Sequence, residues 1–337
     1  MSEQQTVDLW ALADHCTPWC LHVVTTLRIA EHIGTGKDEI GDLAAATNCD
    51  AYALHRVLTH LVGKGVFEES SPGRFTLNQA ARGLLDPEVR LGLDLEGIGG
   101  RMAYAWGTLL GYVRTGSSAY HERFGMPFWE DLDAHPAIAE SFDALMGPLG
   151  HGVPNVDFEI TGGWESVRSV VDVGGGTGAM LAQVLLKWPK MRGTLVDVPR
   201  TVALSGEVFQ AAGVADRATT VGQSFFDPLP AGKDIYLVKK IIGNWPDHEA
   251  AAILSRCAAA AQPNGRVLVL GGVGPDDAPR PVSIEMILVG GKQRSVAEFT
   301  NLARGAGLEV LAAGQQPSGQ FVVECRPIDK GFIDASA

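Results

Sequence analysis

A carboxylate stands directly before a run of glycines in the stretch VVDVGGGTGAM, which begins at Val170. The apolar residues before Gly174 predict a strand, and those after Gly178 recur at the spacing of a helix. Glycine at the turn between them lets backbone N–H groups approach a ligand, because a Cβ would stand in the way. The stretch therefore predicts a nucleotide-binding turn, with Asp172 beside the ligand.

Two kinds of nucleotide fit this turn. The spacing of Gly174, Gly176 and Ala179 satisfies the GxGxxA pattern of dinucleotide sites, and Asp197 lies about where those folds place a ribose-binding carboxylate. The longer form DVGGGTG, which includes Asp172, is the pattern of S-adenosylmethionine sites, in which a carboxylate can order water or the ammonium group. We expect S-adenosylmethionine, because the strands predicted below end in an antiparallel hairpin, as the sheets of many methyltransferases do. A nicotinamide oxidoreductase is the minor alternative.

From about residue 156 the sequence alternates strands and helices, which is typical of a doubly wound α/β sheet. The predicted strands span 168–173, 193–197, 218–222, 234–239, 266–271, 308–314 and 320–326. The main predicted helices span 177–187, 201–212, 247–261 and 295–306. Only GQQPSG separates the last two strands, which is too short for a crossover helix, so the last strand should be antiparallel. We predict a seven-stranded Rossmann-like domain over 156–328 and a tail at 329–337.

The first 155 residues are predicted to form a mostly helical domain. Apolar residues recur at helical spacing from Leu9, and Thr17 followed by Pro18 is typical of an N-cap and first helical residue, so two helices are expected. Helices at 39–48 and from Asp50 to about residue 65 precede two short strands around Ser-Ser-Pro-Gly. This order is that of a winged-helix module.

Winged-helix modules often bind DNA, but the helix after Asp50 offers few basic residues to a groove. The net charge is -12, and no run of Lys or Arg compensates for it. Phosphate binding depends on clustered positive charge, so no nucleic-acid partner is expected. We favour a dimerisation module, and a winged-helix regulator that senses a small molecule is the alternative from a different class.

The composition is that of an ordinary globular protein, with 337 residues, of which 46% are hydrophobic and 20% charged. The amino terminus lacks the pattern of a signal peptide, and no apolar run reaches about 18 residues, so a cytoplasmic location without membrane contact is expected. Cys16 and Cys20, flanked by His15 and His22, could hold a metal. A small buried hydrophobic role is more common for free cysteine, so no metal is expected.

Aromatic and methionine residues are unusually dense over residues 80–150. At helical spacing such residues more often form a core than contact a ligand. The segment FGMPFWEDL, however, mixes glycine and proline into its apolar run, which suits the wall of an apolar pocket. Both roles stay open from the sequence.

The sequence resembles the class I O-methyltransferases that carry an amino-terminal winged-helix dimerisation domain. Among them it is most similar to bacterial enzymes that tailor aromatic antibiotics, such as the anthracycline and mitomycin O-methyltransferases. The resemblance runs over essentially the whole chain and is carried by FGMPFWEDL, VVDVGGGTG, RGTLVDVP, SFFDPLP, DIYLVKKIIGNWPDHEAAAIL and VGGKQRSVAEFTNLARGAGL. It implies a homodimer that binds S-adenosylmethionine and methylates a hydroxyl of an aromatic or polyketide-like molecule.

The resemblance also implies roles for individual residues. Those expected at the cofactor are Asp172, Gly174, Gly176, Asp197, Ser224, Phe225 and Lys239. Those expected to line the acceptor pocket are Phe124, Trp129, Met146, Asn244 and Met286. Asp197 would bind both ribose hydroxyls, and Phe225 would pack on the adenine with Lys239 beside it. Ser224 stands where an aspartate usually contacts the adenine amino group.

Many family members use a histidine as general base, in a His-Asp-Trp triplet after the fourth strand of the sheet. A phenol with a pKa near roughly 10 is a poor nucleophile until it loses its proton. This chain has Gly243, Asn244 and Trp245 at the triplet. The usual base is therefore absent.

Three interpretations follow. In the first, which we favour, an acidic phenol or hydroxyquinone is methylated by proximity and desolvation, with Asn244 orienting the acceptor. In the second, another residue is the base, and His248, Tyr120, Lys240 and His151 are candidates. In the third, the cofactor is bound without methyl transfer, as in family members that hydroxylate, decarboxylate or assist cyclisation.

Overall fold

The computed structural model describes residues 7–146, 153–277 and 284–329. The chain forms two compact units, one from the chain up to Ala105 with Leu132–Leu145, and one from Trp106–Asp131 with the chain from Met146 onward. The domain boundary expected near residue 155 and the tail expected from 329 stay predictions. None of the described helices has both the length and the apolar character needed to cross a lipid bilayer.

The first unit is mostly helical up to Ala105. Its helices there span Leu9–Leu12, Cys16–Thr26, Ile29–Gly34, Ile40–Thr47, Ala51–Gly63, Gln79–Gly83, Pro87–Leu93 and Ile98–Ala105. Strands β1 (Glu68–Ser71) and β2 (Arg74–Thr76) pair antiparallel. The helix expected at 39–48 is confirmed, as is the role of Asp50, whose side chain caps the next helix.

The first two helices are separate, as expected, but the cap is not Thr17. The second helix begins at Cys16, and the Asp14 carboxylate accepts the N–H groups of Cys16 at 2.9 Å and Thr17 at 3.0 Å. The Thr17 hydroxyl itself donates to Asp14 at 2.6 Å. The predicted cap is wrong because a carboxylate just upstream is the stronger acceptor for the free N–H groups.

Cys16, Cys20 and His60 each place one ligand-type atom within 4.8 Å of the others. The two sulfurs are 3.9 Å apart, and His60 Nε2 lies 2.8 Å from the Thr17 hydroxyl. Burial raises the pKa of Cys20 to about 11, so this thiol is protonated at neutral pH. The contact between the two sulfurs and the hydrogen bond of His60 to Thr17 also account for this cluster, and the expectation that it holds no metal stays a prediction.

The second unit is built on a seven-stranded sheet. Its strands are β3 (Ser169–Val173), β4 (Arg192–Asp197), β5 (Ala218–Gly222), β6 (Ile235–Lys239), β7 (Arg266–Leu270), β10 (Leu308–Gln315) and β11 (Phe321–Pro327). A separate short pair is formed by β8 (Val273–Gly274) and β9 (Arg294–Ser295). The strand order in the sheet is β10-β11-β7-β6-β3-β4-β5. The strands predicted from the sequence are confirmed.

The last strand, β11, is antiparallel to both of its neighbours, as predicted, whereas β7, β6, β3, β4 and β5 are parallel. It lies between β7 and β10 rather than at the edge of the sheet. Both faces of the sheet are buried, with Val171 and Val173 in one core and Val170 and Leu195 in the other. Apolar side chains that alternate between two covered faces are typical of a parallel sheet.

The rest of the described chain forms short 3₁₀ turns and further helices, some of them before β3 and some between the strands. The 3₁₀ turns span Trp106–Thr108 and Ile242–Asn244. The remaining helices span Leu109–Thr115, Tyr120–Phe124, Phe128–Ala134, Pro136–Met146, Ala179–Lys187, Pro199–Val202, Ser205–Ala211, Asp247–Ala260, Ile284–Leu288 and Val296–Gly305. The single helix expected over 201–212 is wrong, because the Ser205 hydroxyl donates to the Val202 carbonyl at 2.7 Å where the chain breaks into two helices.

Candidate active site

Three ionisable side chains lie towards the carboxyl ends of neighbouring parallel strands. Asp172 is in β3, Asp197 ends β4 and Lys239 ends β6. Strand β3 pairs with both of the others, and Asp172 lies opposite Leu195 and Leu237. Ligands of open α/β sheets bind beyond the carboxyl ends of the parallel strands. The topology therefore brings together residues that the sequence predicted for the cofactor.

The glycine turn after β3 is crowded at its start and open at its centre. Gly174 has a φ of 68°, and a Cβ there would lie 2.7 Å from Ile241 Cδ1. Gly176 has a φ of 61°, and no heavy atom lies within 4 Å of the place of its Cβ. Since glycine tolerates this φ and leaves the backbone bare, a ligand can approach the turn at Gly176.

Asp172 is a buried carboxylic acid packed against the turn. It is 1% exposed, and neither carboxylate oxygen has a hydrogen-bond partner among the described residues. Burial raises its pKa to about 7, and the positive charge of Lys239 opposes that rise. A Cβ on Gly175 would overlap this carboxylate. A buried acid without partners is costly, and an ammonium group on a ligand would offset that cost.

Asp197 faces the same turn. Its carboxylate accepts the N–H groups of Gly176 and Val198, both at 2.8 Å. Burial raises the pKa of Asp197, and these two hydrogen bonds oppose the rise. Burial also lowers the pKa of Lys239. The carboxyl ends of β3, β4 and β6 therefore carry two acids and a lysine whose pKa values are shifted by their surroundings. Such shifted pKa values are typical of a functional site.

Ser224 and Phe225 follow β5. The Ser224 hydroxyl accepts the N–H of Phe226 at 3.2 Å and so serves the local backbone. The ring of Phe225 would lie 3.3 Å from a Cβ on Gly174, so it is beside the glycine turn. It also meets Trp245 edge-on, with ring centroids 6.0 Å apart. Phe225 thus lies beside the glycine turn, and its packing on the adenine stays a prediction.

The loop after β6 carries Gly243 and Asn244. A Cβ on Gly243 would lie 2.9 Å from the Cα of Gly272, and a Cβ on Gly291 would lie 2.8 Å from the Gly243 carbonyl. That carbonyl accepts the Lys292 N–H at 2.9 Å. The place at which family members carry a histidine side chain is therefore in close contact with backbone.

Arg294 holds this loop, although it is absent from the residues predicted above. It is 1% exposed and donates to the carbonyls of Ile242 and Trp245, each at 2.9 Å. The only local signal in the sequence is that Arg294 directly precedes the capping box formed by Ser295 and Glu298. A capping box marks where a helix begins, not what a neighbouring arginine binds.

Two of the candidate bases, His248 and Lys240, do not have the surroundings of a catalytic base. The His248 side chain is 94% exposed and lies 3.8 Å from Glu249. Lys240 is also exposed. His151 lies outside the described residues.

Tyr120 is buried, and its hydroxyl donates to the Asp131 carboxylate at 2.8 Å. This bond commits the phenol to a buried partner, as expected for a structural tyrosine. Asn244 is half-buried in its 3₁₀ turn, next to Gly243. Of these candidates, Asn244 lies in the loop where the family's base is expected.

Trp129 stacks on Trp245, with ring centroids 5.4 Å apart and an interplanar angle of 21°. Phe226 packs edge-on against Trp245 at 5.1 Å. Because Trp245 directly follows Asn244, this aromatic cluster adjoins the loop. The structure therefore brings the pocket candidates Trp129 and Asn244 to the same part of the unit.

The other pocket candidates are more scattered. Phe124 packs on the Tyr120 ring with centroids 4.4 Å apart. Met146 is 45% exposed. Met286 is half-buried, and its carbonyl accepts the Gly291 N–H at 2.7 Å. Met286 is thus hydrogen-bonded to Gly291, which contacts the loop at Gly243. Phe124 instead packs on Tyr120.

Two family models match the chain. An O-methyltransferase domain matches residues 106–309, and an O-methyltransferase dimerisation domain matches residues 10–87. The chain belongs to the O-methyltransferase family. The expected fold class is confirmed by the seven-stranded sheet of this methyltransferase and by its helical amino-terminal domain.

Curated relatives match nearly the full length of the methyltransferase. The 2,7-dihydroxy-5-methyl-1-naphthoate 7-O-methyltransferase of Streptomyces carzinostaticus is 38% identical over 317 residues, covering 91% of this chain and 94% of that protein. Aclacinomycin 10-hydroxylase RdmB of Streptomyces purpurascens is 37% identical over 341 residues, covering 97% of this chain and 89% of that protein. The family thus includes a protein named as a hydroxylase.

Solved structures agree with the sequence relatives. An O-methyltransferase from neocarzinostatin biosynthesis, in complex with S-adenosylmethionine and 2-hydroxy-5-methyl naphthoic acid, has a TM-score of 0.85 and 36% identity. The alignment covers 96% of this chain and 100% of that one. The methyltransferase uses S-adenosylmethionine, as expected, and the orphaned Asp172 acid, the open Gly176 backbone and the Asp197 carboxylate fit that group.

Replacing Asp172 with asparagine should stabilise the cofactor-free methyltransferase above pH 7. The folded pKa is raised from 3.8 to about 7, so only well below pH 3.8 is the acid neutral in both the folded and the unfolded state, where its burial carries no ionisation cost. Between those values only the unfolded state ionises, and the wild type loses stability as pH rises, by roughly 2–4 kcal/mol in all. Urea unfolding from pH 4 to 8 measures the difference.

The same variant should bind S-adenosylhomocysteine more weakly, since asparagine offers no charge to an ammonium group. Asp216→Asn, which removes a charge from an exposed position, is the control and should change neither property. A wild type and an Asp172→Asn variant with parallel stability curves from pH 4 to 8 would contradict the assignment.

Proposed function

We propose that the methyltransferase acts on an acidic hydroxyl of a planar aromatic acceptor, such as a hydroxynaphthoate, without a side-chain general base. The observation that carries the proposal is Gly243, which stands at the place of the family's histidine in contact with the backbone of Gly272. The stacked rings of Trp129 and Trp245 form an aromatic cluster next to Asn244 in the chain, and a planar apolar acceptor would suit such surroundings. The acceptors named for the relatives, a dihydroxy-methyl-naphthoate and a hydroxy-methyl naphthoic acid, are planar and hydroxylated.

When bound, S-adenosylmethionine supplies an electrophilic methyl group on a positively charged sulfur. The residues of the chain hold the two reactants in line and exclude water. Asp197 would bind the ribose, Asp172 the ammonium group and Phe225 the adenine. The Asn244 amide, which can both donate and accept, would orient the acceptor hydroxyl. In model systems such alignment lowers a barrier by up to roughly 7–11 kcal/mol.

Without a base on the protein, the pH dependence of kcat/KM should follow the acceptor. The acceptor hydroxyl would lose its proton to solvent before the reactants are aligned and water is excluded, so the ionised acceptor would react fastest. Across a series of substituted hydroxynaphthoates, the midpoint of the rise in kcat/KM should move with the pKa of each hydroxyl. A base with an ordinary histidine pKa would instead fix the midpoint near roughly 6.5.

His248→Ala is the matched test of the alternative base. Because the His248 side chain is 94% exposed, the variant should keep kcat/KM within about two-fold, as surface substitutions usually have small effects. A fall of more than about a hundred-fold, the range of general acid–base catalysis, would assign the base to His248.

Product analysis separates methylation from the other chemistry in the family. With 2,7-dihydroxy-5-methyl-1-naphthoate as the first acceptor, mass spectrometry should show a product heavier by one CH₂ group, and one S-adenosylhomocysteine per product. A product heavier by one oxygen atom, formed without consumption of S-adenosylmethionine, would contradict the proposal. It would place the chain beside its relative that is named as a hydroxylase.

The methyltransferase is further proposed to work as a homodimer. Its residues 10–87 match a dimerisation domain. In the first helix, Leu9 and Leu12 are each 74% exposed and Trp10 is 89% exposed, which is typical of a surface that another chain covers. The cytoplasmic location and the lack of a nucleic-acid partner stay predictions.

A further inference from the structure

Arg294 is a buried arginine in which every side-chain nitrogen is engaged. Its Nη1 donates to the carbonyls of Ile242 at 2.9 Å and Lys292 at 3.2 Å, and its Nη2 donates to the carbonyl of Trp245 at 2.9 Å. Its Nε donates to the Asp247 carboxylate at 2.9 Å. Two of these acceptors flank Asn244, one before and one after it, so the guanidinium spans the segment that carries that side chain.

The segment has little regular structure of its own to fix it. It begins at Lys240, which has a φ of 57°, a conformation that residues other than glycine rarely adopt. It continues as the short 3₁₀ turn Ile242–Asn244. It ends at Pro246, which has no backbone N–H to donate. An unusual backbone conformation of this kind persists when its surroundings hold it, and Arg294 supplies two hydrogen bonds to carbonyls of the segment.

Arg294 is itself held on rigid structure. It lies in β9, directly before the capping box of the helix Val296–Gly305. Its charge is balanced by Asp247, whose other oxygen accepts the Lys292 ammonium at 2.6 Å. These two cations lower the pKa of Asp247, the Lys292 hydrogen bond contributing most. The carboxylate is therefore ionised at neutral pH and completes the set of acceptors.

We infer that Arg294 is a positioning residue, which fixes Asn244 against the acceptor hydroxyl through the carbonyls that it binds on either side. This inference rests on the proposed role of Asn244. A planar guanidinium can reach separate acceptors in fixed directions, and a lysine ammonium cannot reproduce that fork. Arg294→Lys therefore keeps the charge and loses the geometry.

The test is a cycle of Arg294→Lys, Asn244→Ala and the double variant, assayed with S-adenosylmethionine and 2,7-dihydroxy-5-methyl-1-naphthoate. Arg294→Lys should lower kcat about ten- to a hundred-fold while S-adenosylhomocysteine affinity stays within about two-fold. If Arg294 acts through Asn244, the lysine change should cost less than about three-fold in the Asn244→Ala background. Equal losses in both backgrounds would overturn the inference.

Hydrogen exchange gives a readout that needs no acceptor. In Arg294→Lys, amides of the segment 240–246 should exchange faster, while those of the glycine turn do not change. Arg217→Lys is the matched control, because Arg217 also donates to two carbonyls, those of Leu185 and Met191, in the same unit. Unchanged exchange in the segment would overturn the inference even if the wild type proved inactive, which would count against the proposed function alone.

Asp247→Asn covers the outcome in which Arg294→Lys does not fold. The Asp247 side chain is 53% exposed, so its replacement should be tolerated. It removes the charged acceptor of Arg294 while leaving the guanidinium in place. The variant should change kcat and segment exchange in the same direction by a smaller factor, about two- to five-fold, and no change in either would overturn the inference.

Discussion

Asp197→Ala should lower the affinity of the methyltransferase for S-adenosylhomocysteine by about a thousand-fold. A carboxylate that accepts both ribose hydroxyls makes two charge-assisted hydrogen bonds, each of which contributes about 1.5–3 kcal/mol. Losing both costs roughly 4 kcal/mol, which is about three factors of ten in Kd. Asp197 lies where this can happen, at the end of β4 and within hydrogen-bond distance of Gly176.

Calorimetry measures this loss directly, because S-adenosylhomocysteine binds without reacting. Asp197→Asn should fall between the wild type and Asp197→Ala, since it keeps one acceptor oxygen and loses the charge. Asp216→Ala, at an exposed position of the same unit, should bind like the wild type. Wild-type affinity in Asp197→Ala would show that another residue holds the ribose, and the assignment of the whole edge would need revision.

The strands of the sheet were predictable because each is a short apolar run bounded by a turn signal. The strand expected at 218–222 is Ala218–Gly222 in the structure, and the others differ by one residue or so at their ends. The hairpin length also predicted the direction of β11. Its position between β7 and β10 depends on pairing with β7, a strand that is distant in the sequence. Local spacing carries no information about that choice.

The proximity of the residues proposed for the cofactor was predictable for a similar reason. Asp172 and Asp197 lie near the carboxyl ends of neighbouring parallel strands, and the glycines directly follow the first of these strands, so the topology brings them together. The ionisation of Asp172 was not predictable, because burial in the folded chain raises its pKa and Lys239, which comes from another strand, opposes that rise.

The acceptor side was harder to predict, since its contacts join distant parts of the chain. The Trp129 and Trp245 rings meet across more than a hundred residues of sequence. The bonds from Arg294 to two carbonyls of the loop leave no mark on residue spacing. Tyr120 illustrates the converse, because its phenol suited a base in the sequence until its bond to Asp131 was visible.

Gly243→His should damage the methyltransferase rather than restore the family's base. A Cβ on Gly243 would lie 2.9 Å from the Cα of Gly272, which is shorter than normal contacts, and the obstacle is backbone that cannot rotate away. Gly272 in turn has a φ of 81°, and a Cβ there would lie 2.5 Å from the Gly243 nitrogen. The backbone at Gly243 and the backbone at Gly272 are in direct contact, so a side chain on either residue must push the two segments apart.

Such overpacking typically costs about 1–3 kcal/mol, and the displaced backbone here is the loop that presents Asn244. We therefore expect Gly243→Ala to lower the free energy of unfolding by about 1–2 kcal/mol and Gly243→His by more, with kcat falling at least about ten-fold in the latter. Gly206→Ala is the control, because no heavy atom lies within 4 Å of a Cβ at that helical position, and it should be neutral or stabilising. A stable Gly243→His variant with higher kcat and a new midpoint near roughly pH 6.5 would mean that the loop tolerates a base and that its absence has a cause other than packing.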